Sequence, residues 1–209
     1  MPKKTHLTID DFLETALDMV REDGWKKLSI TAVAKRLGCS TMPVYTHFEN
    51  LETLKDGVIK RGWELVKAYE SKQYTGDAWV DQSVGYVFFA RDFPLLFSCM
   101  FDGRNLALER RMLEEHWEFI TGLVSGYPGF KCLSREQCRL IRYSRAMFTQ
   151  GVATSVSKGV GKLLTDNDAI KKYMEEGSRA ILEGYQKVRG PGDGKMALLD
   201  DEFQPIGGL

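Results

Sequence analysis

This 209-residue chain has few histidines, no net charge and no long apolar run, and each of these features limits the functions that it can have. The three histidines lie in separate segments, so they form no cluster in the sequence. Lysine and arginine total 29, as do aspartate and glutamate, so the bulk charge is zero and indicates no partner. No apolar run approaches the about 18 residues of a membrane span, so no membrane segment is expected.

Cysteine is sparse and irregularly spaced. Cys39, Cys99, Cys132 and Cys138 form no CxxC pair, and the start of the sequence lacks the apolar core of a secretory signal. Free thiols in a reducing cytoplasm are therefore expected. Cys39 is either a redox-sensitive thiol or a small apolar filler, and the filler is favoured because no basic neighbour pairs with it in the sequence.

Motifs of catalytic and cofactor sites are missing from the sequence. It contains no nucleophile motif, no glycine-rich phosphate loop and no HExxH pair. One histidine, His116, lies among three glutamates, which invites a metal-site interpretation. Helical spacing distributes these four side chains around the surface, so a solvated face is the favoured interpretation. No enzyme activity, cofactor or metal is expected. The glutamates are Glu114, Glu115 and Glu118.

The apolar pattern has the 3.6-residue period of α-helices along most of the chain, and no convincing strand pattern occurs. Thr8 and Asp11 are spaced as a capping box at the start of the first helix, and Gly24 ends that helix. Ser134 and Gln137 form another capping box far along the chain. These signals predict an all-α protein of about nine helices.

Helix length and composition divide the chain into three regions. Residues 1–50 contain three short helices, which we interpret as a helix-turn-helix DNA-binding domain. Residues 51–189 form a larger helical domain for effector binding and dimerisation, with 51–74 as a connecting helix. In this domain a stripe that begins at Leu106 predicts a helix with that side chain inward. Residues 190–209 are rich in glycine, proline and acidic groups, so a disordered tail is predicted.

The segment GCSTMPVYTHF, residues 38–48, carries the unusual feature of the first domain. Ser29 caps a short helix that ends near Leu37, and Gly38 can adopt the left-handed conformation of a turn. Ser40 can cap a third helix of barely two turns, with Pro43 in the first turn, where a helix tolerates proline. Two short helices joined by a tight turn are typical of a helix-turn-helix.

The third helix is too polar on one side to be a core helix. A buried seam is predicted from Val33, Leu37, Cys39, Val44 and Phe48. The remaining side chains include hydroxyls, an imidazole and methyl groups, which can contact phosphates or base edges in a major groove about 12 Å wide. Residues 24–48 also contain no acid and four basic side chains, Lys26, Lys27, Lys35 and Arg36.

The stretch FLETALDMVREDGWKKLSITAVAKRLGCSTMPVYTHFENLETLKDGVI resembles the DNA-binding domain of the TetR family of bacterial transcriptional repressors. The resemblance rests on the Gly24 helix stop, the SITAVAKRLGCS helix and turn, and the VYTHF ending. It implies that the third helix reads the major groove, with Tyr45 and His47 near phosphates. The residues implied to contact DNA are Ser29, Thr31, Ser40, Thr41, Met42, Pro43, Tyr45, Thr46, His47 and Lys55.

Two positions depart from the family pattern. Members commonly carry a basic residue at the position of Thr46 and a lysine at that of Leu51, and Lys55, one turn later, is expected to compensate in part. Fewer basic groups imply a modest salt dependence, because each neutralised phosphate contributes about −0.9 to the slope of log K against log salt.

The segment YVFFARDFPLLFSCMFDGR, residues 86–104, is similar to part of the effector domain of many of these regulators. The resemblance implies a small molecule bound inside a helical bundle and a homodimer formed through the last two long helices. Gly151, Gly177 and Gly184 lie in those helices at a cost of about 1 kcal/mol each relative to alanine, which close approach across an interface would offset. Such a dimer would place its recognition helices about 34–36 Å apart on a palindromic operator.

Aromatic and methionine side chains are abundant in the larger domain. They suit either a core or the wall of an apolar cavity, since both positions look alike in sequence. A cavity would favour a hydrophobic or aromatic effector, with His116, Tyr143 or Gln150 as polar anchors. The candidate lining residues are Tyr86, Phe89, Phe93, Phe97, Met100, Met112, His116, Trp117, Tyr143, Met147 and Gln150.

The sequence therefore predicts a cytoplasmic, homodimeric repressor that binds double-stranded DNA and is released by a small apolar or aromatic effector. The alternative is a helical ligand-binding or adaptor protein of the same fold with weak or lost DNA binding, as the departures at positions 46 and 51 would suggest. Salt-sensitive duplex binding would separate these two functions, and substrate turnover would identify an enzyme.

Overall fold

Nine α-helices account for most of the residues that the computed structural model describes, which are 7–131, 133–160, 164 and 166–188. No strand occurs among these residues, so the predicted all-α class is confirmed. Cys132 and the predicted tail, residues 190–209, lie outside the described residues. The helices are α1 Ile9–Asp23, α2 Ile30–Arg36, α3 Met42–His47, α4 Leu51–Glu70, α5 Ala78–Asp92, α6 Pro94–Met100, α7 Leu106–Leu123, α8 Arg135–Ser157 and α9 Asn167–Val188.

Side-chain caps fix the starts of the long helices. Thr8 Oγ1 accepts a hydrogen bond from the Asp11 amide at 3.3 Å, and the Asp11 carboxylate accepts one from the Thr8 amide at 2.7 Å. Ser134 and Gln137 exchange the same pair of bonds at the start of α8. Both predicted capping boxes are therefore confirmed. Gly24, with a φ of 61°, ends α1 and begins a short 3-10 turn that runs to Lys27.

The second and third helices are joined by a tight turn around Gly38. Ser29 Oγ caps α2 by accepting from the Ala32 amide at 3.1 Å. Gly38 has a φ of 68°, the left-handed conformation expected for the turn. The predicted cap at Ser40 is wrong: Thr41 precedes α3, and no side chain caps that helix. Pro43 explains the difference, because it removes one of the amide donors that a capping side chain would bind.

Helix α5 lies at the centre of the larger part and is buried on nearly all sides, as expected of a helix that is apolar all round. It packs against α4, α8 and α9. At Gly85 a Cβ atom would lie 2.8 Å from Glu70 Cα, so the missing side chain lets α5 approach the end of α4 closely.

The first three helices share one hydrophobic core with the larger part. A single cluster of buried side chains extends from Phe12 in α1 to Met174 in α9. Arg61 of α4 also forms ion pairs with two acids of α1, Asp10 and Glu14. The continuous core indicates that α4 and α6 seat the helix-turn-helix firmly, and the domain boundary at residue 50 stays a prediction.

Two features of the larger part concern the starts of helices. Helix α5 ends at Asp92, and Pro94 begins the short helix α6 because its missing amide hydrogen costs nothing in a first turn. Leu106 was expected inward and is 62% exposed. It lies on the other side of α7 from the stripe that is buried, because the residues of that helix that face the core are Leu108, Met112, His116 and Ile120.

We predict that Gly38→Ala lowers the free energy of unfolding by about 1–2 kcal/mol, because the left-handed conformation is unfavourable for alanine even with open space around its Cβ. Gly122→Ala is the matched control, since Gly122 is helical with equally open surroundings and a gain of up to about 1 kcal/mol is expected there. Urea unfolding followed by circular dichroism measures both. Equal effects in the two variants would contradict the role assigned to Gly38.

Candidate nucleic-acid interface and ligand cavity

Helix α3 is anchored on one side and exposes large side chains on the other. Val44 and Phe48 are buried in the core. Met42 is 73% exposed and Tyr45 is 52% exposed, and both belong to the side of the helix that faces away from the core. A methionine and a tyrosine held this far into solvent on so short a helix are suited to contact a partner surface.

The structure places most of the predicted DNA-contacting residues in α3 and the turn before it. Ser40, Thr46 and His47 are exposed, whereas Thr41 and Pro43 are half-buried. The Thr46 hydroxyl donates to the Met42 carbonyl at 3.1 Å, and that bond already uses its proton. At the start of α2, Thr31 is exposed and Ser29 is half-buried as the helix cap.

Two of the four basic side chains in residues 24–48 are neutralised by acids of α1. Arg36 donates two hydrogen bonds to the Glu22 carboxylate, each at 2.7 Å, and this pairing lowers the pKa of Glu22. Lys27 lies 2.8 Å from Asp23. Among the described residues, Lys26 and Lys35 form no salt bridge and are exposed, so the local positive charge is about half of what the sequence indicates.

Lys55 belongs to an internal network rather than to the surface of α3. Its ammonium lies 2.8 Å from Glu52 and 5.7 Å from the centre of the Trp25 ring, and its side chain is 15% exposed. Arg104, from the segment between α6 and α7, also pairs with Glu52 at 2.6 Å. This arrangement argues against the phosphate contact expected of Lys55.

The same network ties the 3-10 turn after α1 to the larger part. Trp25 Nε1 donates to Asp102 at 2.6 Å, and the Arg104 guanidinium lies 5.4 Å from the Trp25 ring centre. Arg104 and Asn105 both donate to Asp56 of α4, at 3.1 and 3.0 Å. We call Trp25, Glu52, Lys55, Asp56, Asp102, Arg104 and Asn105 the α4-start network. Most of its contacts join residues about fifty or more positions apart, so no local sequence signal could have shown it.

A cavity of about 280 Å³ lies between α4, α5, α7 and α8. Six of the predicted lining residues border it, namely Tyr86, His116, Trp117, Tyr143, Met147 and Gln150. The other five, Phe89, Phe93, Phe97, Met100 and Met112, do not border it and pack in or against the hydrophobic core. Five polar residues that the sequence did not single out also line the cavity, Glu70, Gln82, Ser83, Arg145 and Thr149.

Two hydrogen-bonded pairs line the polar side of the cavity. His116 Nε2 lies 2.8 Å from Glu70 Oε2, and both residues are buried. The Tyr86 hydroxyl donates to Gln150 Oε1 at 2.6 Å, and burial raises the pKa of Tyr86 well above its ordinary value, so the phenol keeps its proton. The solvated position expected for His116 is wrong because its ring packs on Trp63 and Tyr86.

The three neighbouring glutamates of His116 lie outside this buried pair. In the described part of the chain, no group of three or more histidine, cysteine, aspartate or glutamate side chains is placed to hold a metal ion. The acids around His116 in the sequence therefore do not converge with it on one site in the structure.

Arg145 is the most unusual residue of the cavity. It is 3% exposed, and burial lowers its pKa to about 9, which leaves the guanidinium charged at neutral pH. It donates to the Trp79 carbonyl and to Gln82 Oε1, and its guanidinium lies 3.6 Å from the centre of the Trp79 ring. Its Nε and the neighbouring Thr149 hydroxyl are buried without a hydrogen-bond partner.

The glycines of α8 and α9 fall into two groups. A Cβ at Gly177 would lie 2.6 Å from Phe148 Cε1, so this glycine makes room for a ring of the same chain. Its expected role in close contact between subunits is therefore not needed to explain it. Gly151 and Gly184 have no atom within 4 Å of a built Cβ, so they face open space.

Two of the cysteines pack in or against the hydrophobic core. Cys39 is half-buried and packs against the core beside the turn. Cys99 is buried, and burial raises its pKa to about 11, which keeps the thiol protonated and unreactive. Among the described residues, no helix combines the length and apolar character needed to cross a bilayer.

The fold is that of TetR-like transcriptional regulators. A protein of unknown function from Rhodococcus sp. RHA1 superposes with a TM-score of 0.66 at 16% identity, over 88% of this chain and 98% of that one. A TetR-like transcriptional regulator from the same organism gives 0.58 at 16% identity, over 84% and 95%. A TetR variant from Acinetobacter baumannii AYE, in complex with minocycline, gives 0.51 at 15% identity, over 88% and 97%. The sequence matches no protein-family model and no curated protein.

We predict that Gly177→Ala lowers the free energy of unfolding by about 1–3 kcal/mol, because the added methyl group meets the Phe148 ring. The penalty should be smaller when Phe148 is replaced by leucine, so a double-mutant cycle of Gly177→Ala and Phe148→Leu should show a favourable coupling of about 0.5 kcal/mol or more. Urea unfolding of the four proteins measures it. Additive effects would show that Gly177 serves some other contact.

Proposed function

We propose that the protein is a homodimeric transcriptional repressor that binds a palindromic operator through α3 and is released by a small molecule in the cavity. The observation that carries this proposal is the exposed pair Met42 and Tyr45 on a two-turn helix whose other side is fixed in the core. A helix held in this way can enter a major groove as a rigid reading element. Lys26 and Lys35 supply the nearby positive charge for phosphates.

The dimer is supported by the outer face of α8 and α9. Gly151 and Gly184 face open space there, and Met147 and Tyr173 are among the large side chains that remain exposed. Glycine without a neighbour costs helix stability, and an exposed methionine or tyrosine gains by burial, so a second subunit on this face would offset both costs. The homodimer expected from the sequence would thus use the last two long helices.

Helix α4 offers a route from the cavity to α3. Its last residue, Glu70, borders the cavity and bonds His116, while its first turns carry Glu52 and Asp56 of the α4-start network. An effector that binds better to one position of α4 shifts the population towards that position. Because α4 starts shortly after α3, such a shift would change the separation of the two recognition helices in the dimer.

A small molecule in this fold has a precedent among the structural neighbours, since the TetR variant from A. baumannii is in complex with minocycline. For this chain, the cavity and its mixed polar and apolar wall support an effector that is small and largely apolar or aromatic.

We predict that selection from a random duplex library enriches a palindrome and that Tyr45→Ala weakens binding to it by about tenfold or more, since a base or phosphate contact is worth about 1–3 kcal/mol. Fluorescence anisotropy at several salt concentrations measures the affinity and the slope of log K against log salt. Lys35→Ala should reduce that slope by about 0.9.

Leu106→Ala is the control for Tyr45→Ala, because Leu106 is similarly exposed but lies at the start of α7. It should bind the operator as the wild type does. If no duplex is enriched while the protein is folded and dimeric, the proposed regulator function is contradicted. A ligand-binding protein that no longer reads DNA would then be favoured.

We predict that Gly184→Glu weakens the dimer at least tenfold, because it places a charge in the open face of α9 that the second subunit would cover. Gly122→Glu is the matched control, a helical glycine of α7 with equally open surroundings, and should leave the dimer intact. Sedimentation velocity over a dilution series measures both. A monomeric wild type at about micromolar concentration, or a Gly184→Glu dimer as tight as the wild type, would contradict the proposed interface.

A further inference from the structure

Arg145 is a buried positive charge whose hydrogen-bond partners in the protein are neutral. Its guanidinium bonds the Trp79 carbonyl and the Gln82 side-chain amide and stacks on the Trp79 ring. Among the described residues, no carboxylate lies within salt-bridge distance of it. A buried charge without an opposite charge in contact is costly, and such groups are normally paired.

The acids closest to this charge are already engaged. Glu70 favours the charged form of Arg145 from a distance, but its carboxylate is bonded to His116 Nε2 at 2.8 Å. Asp77 also acts on Arg145 only from a distance and caps α5 through the Trp79 amide. The described part of the protein therefore supplies no direct anion for Arg145.

Two unused donors adjoin this charge. Arg145 Nε has no hydrogen-bond partner, and neither has the Thr149 hydroxyl, although both atoms are buried. Thr149 is 6% exposed and follows Arg145 by four residues on α8, so the two side chains lie on one face of the helix. Both residues line the cavity, so a ligand there could satisfy both donors.

The rest of the wall suits an apolar body. Phe101, Leu113, Trp117, Ile120 and Met147 border the same cavity. An apolar cavity of about 150 Å³ is known to hold benzene. The volume of about 280 Å³ therefore has room for one aromatic ring with a short side chain.

The geometry points to a small aromatic monocarboxylate as the effector class, with its carboxylate bonded by Arg145 and Thr149 and its ring against the apolar wall. This inference rests on the proposed function, in which the cavity is the effector site. A carboxylate matches the guanidinium because it is planar, charged and able to accept several hydrogen bonds. A neutral amide of the same shape could accept the bonds but would leave the buried charge uncompensated.

The test compares matched acids and amides on the full-length protein. Phenylacetate and benzoate are titrated by calorimetry against phenylacetamide and benzamide, with tryptophan fluorescence as a second signal. We expect at least one acid to bind at least tenfold more tightly than its amide, because the carboxylate compensates the buried charge of the guanidinium and the amide does not. Equal affinity of acid and amide, or no binding of either acid at about 1 mM, overturns the inference.

Variants on α8 assign the interaction to its residues. Thr149→Val keeps the shape and removes the hydroxyl, and should weaken the acid about fivefold or more. Thr154→Val on the same helix, which does not line the cavity, should leave binding unchanged. Arg145→Gln should abolish the preference for the acid over the amide, and circular dichroism checks that it folds. If folded Arg145→Gln still binds the acid more tightly than the amide, the inference is contradicted.

The two proposals fail in distinguishable ways. If the dimer binds an operator but neither acid, the proposed DNA-binding function is retained and the aromatic monocarboxylate is rejected as the effector. If the protein binds an acid through Thr149 but selects no duplex, the ligand class is retained and the proposed DNA-binding function is rejected.

Discussion

The position of α4 is the constraint on which the rest of the structure depends. Its twenty residues span about 30 Å, so its two ends lie in different parts of the molecule. In the first turns, Lys55 lies over the Trp25 ring and Glu52 pairs with Arg104. At the other end, the buried carboxylate of the last residue, Glu70, bonds His116. Gly85 allows α5 to press closely on that end. A helix held by contacts at both ends suits the proposed coupling between the cavity and α3, because a shift at one end is passed to the other.

The parts of the fold that depend on neighbouring residues were predictable from the sequence. The capping boxes at Thr8 and Ser134 and the turn at Gly38 follow from interactions within a few residues, and the structure confirms them. The Ser40 cap failed for a local reason too, because Pro43 changes which amide donors are present. The α4-start network and the buried Glu70–His116 pair join distant segments, so no periodicity or spacing rule could show them.

Charge near α3 illustrates why composition alone overestimates a surface. Residues 24–48 contain no acid, yet the packing of α1 places Glu22 against Arg36, and Asp23 pairs with Lys27 just outside that window. Half of the four basic side chains in that window are therefore paired with acids of α1. The exposed Met42 and Tyr45 then matter more for the proposed DNA contact than charge does, and a modest salt dependence follows from the same argument.

Near α3 the sequence overestimates the positive charge, whereas in the cavity it underestimates it. The sequence predicted part of the aromatic wall but not the buried charge of Arg145. Arginine in an amphipathic helix normally points to solvent, so Arg145 carried no signal as a buried group. Its burial contributes little to stability, since desolvation of a guanidinium costs more than two neutral hydrogen bonds and a ring contact return. A hydrophobic side chain of similar size would fill the site at lower cost. The charge is therefore better explained by recognition of a ligand than by the fold, and perturbed ionisable groups of this kind are concentrated at functional sites.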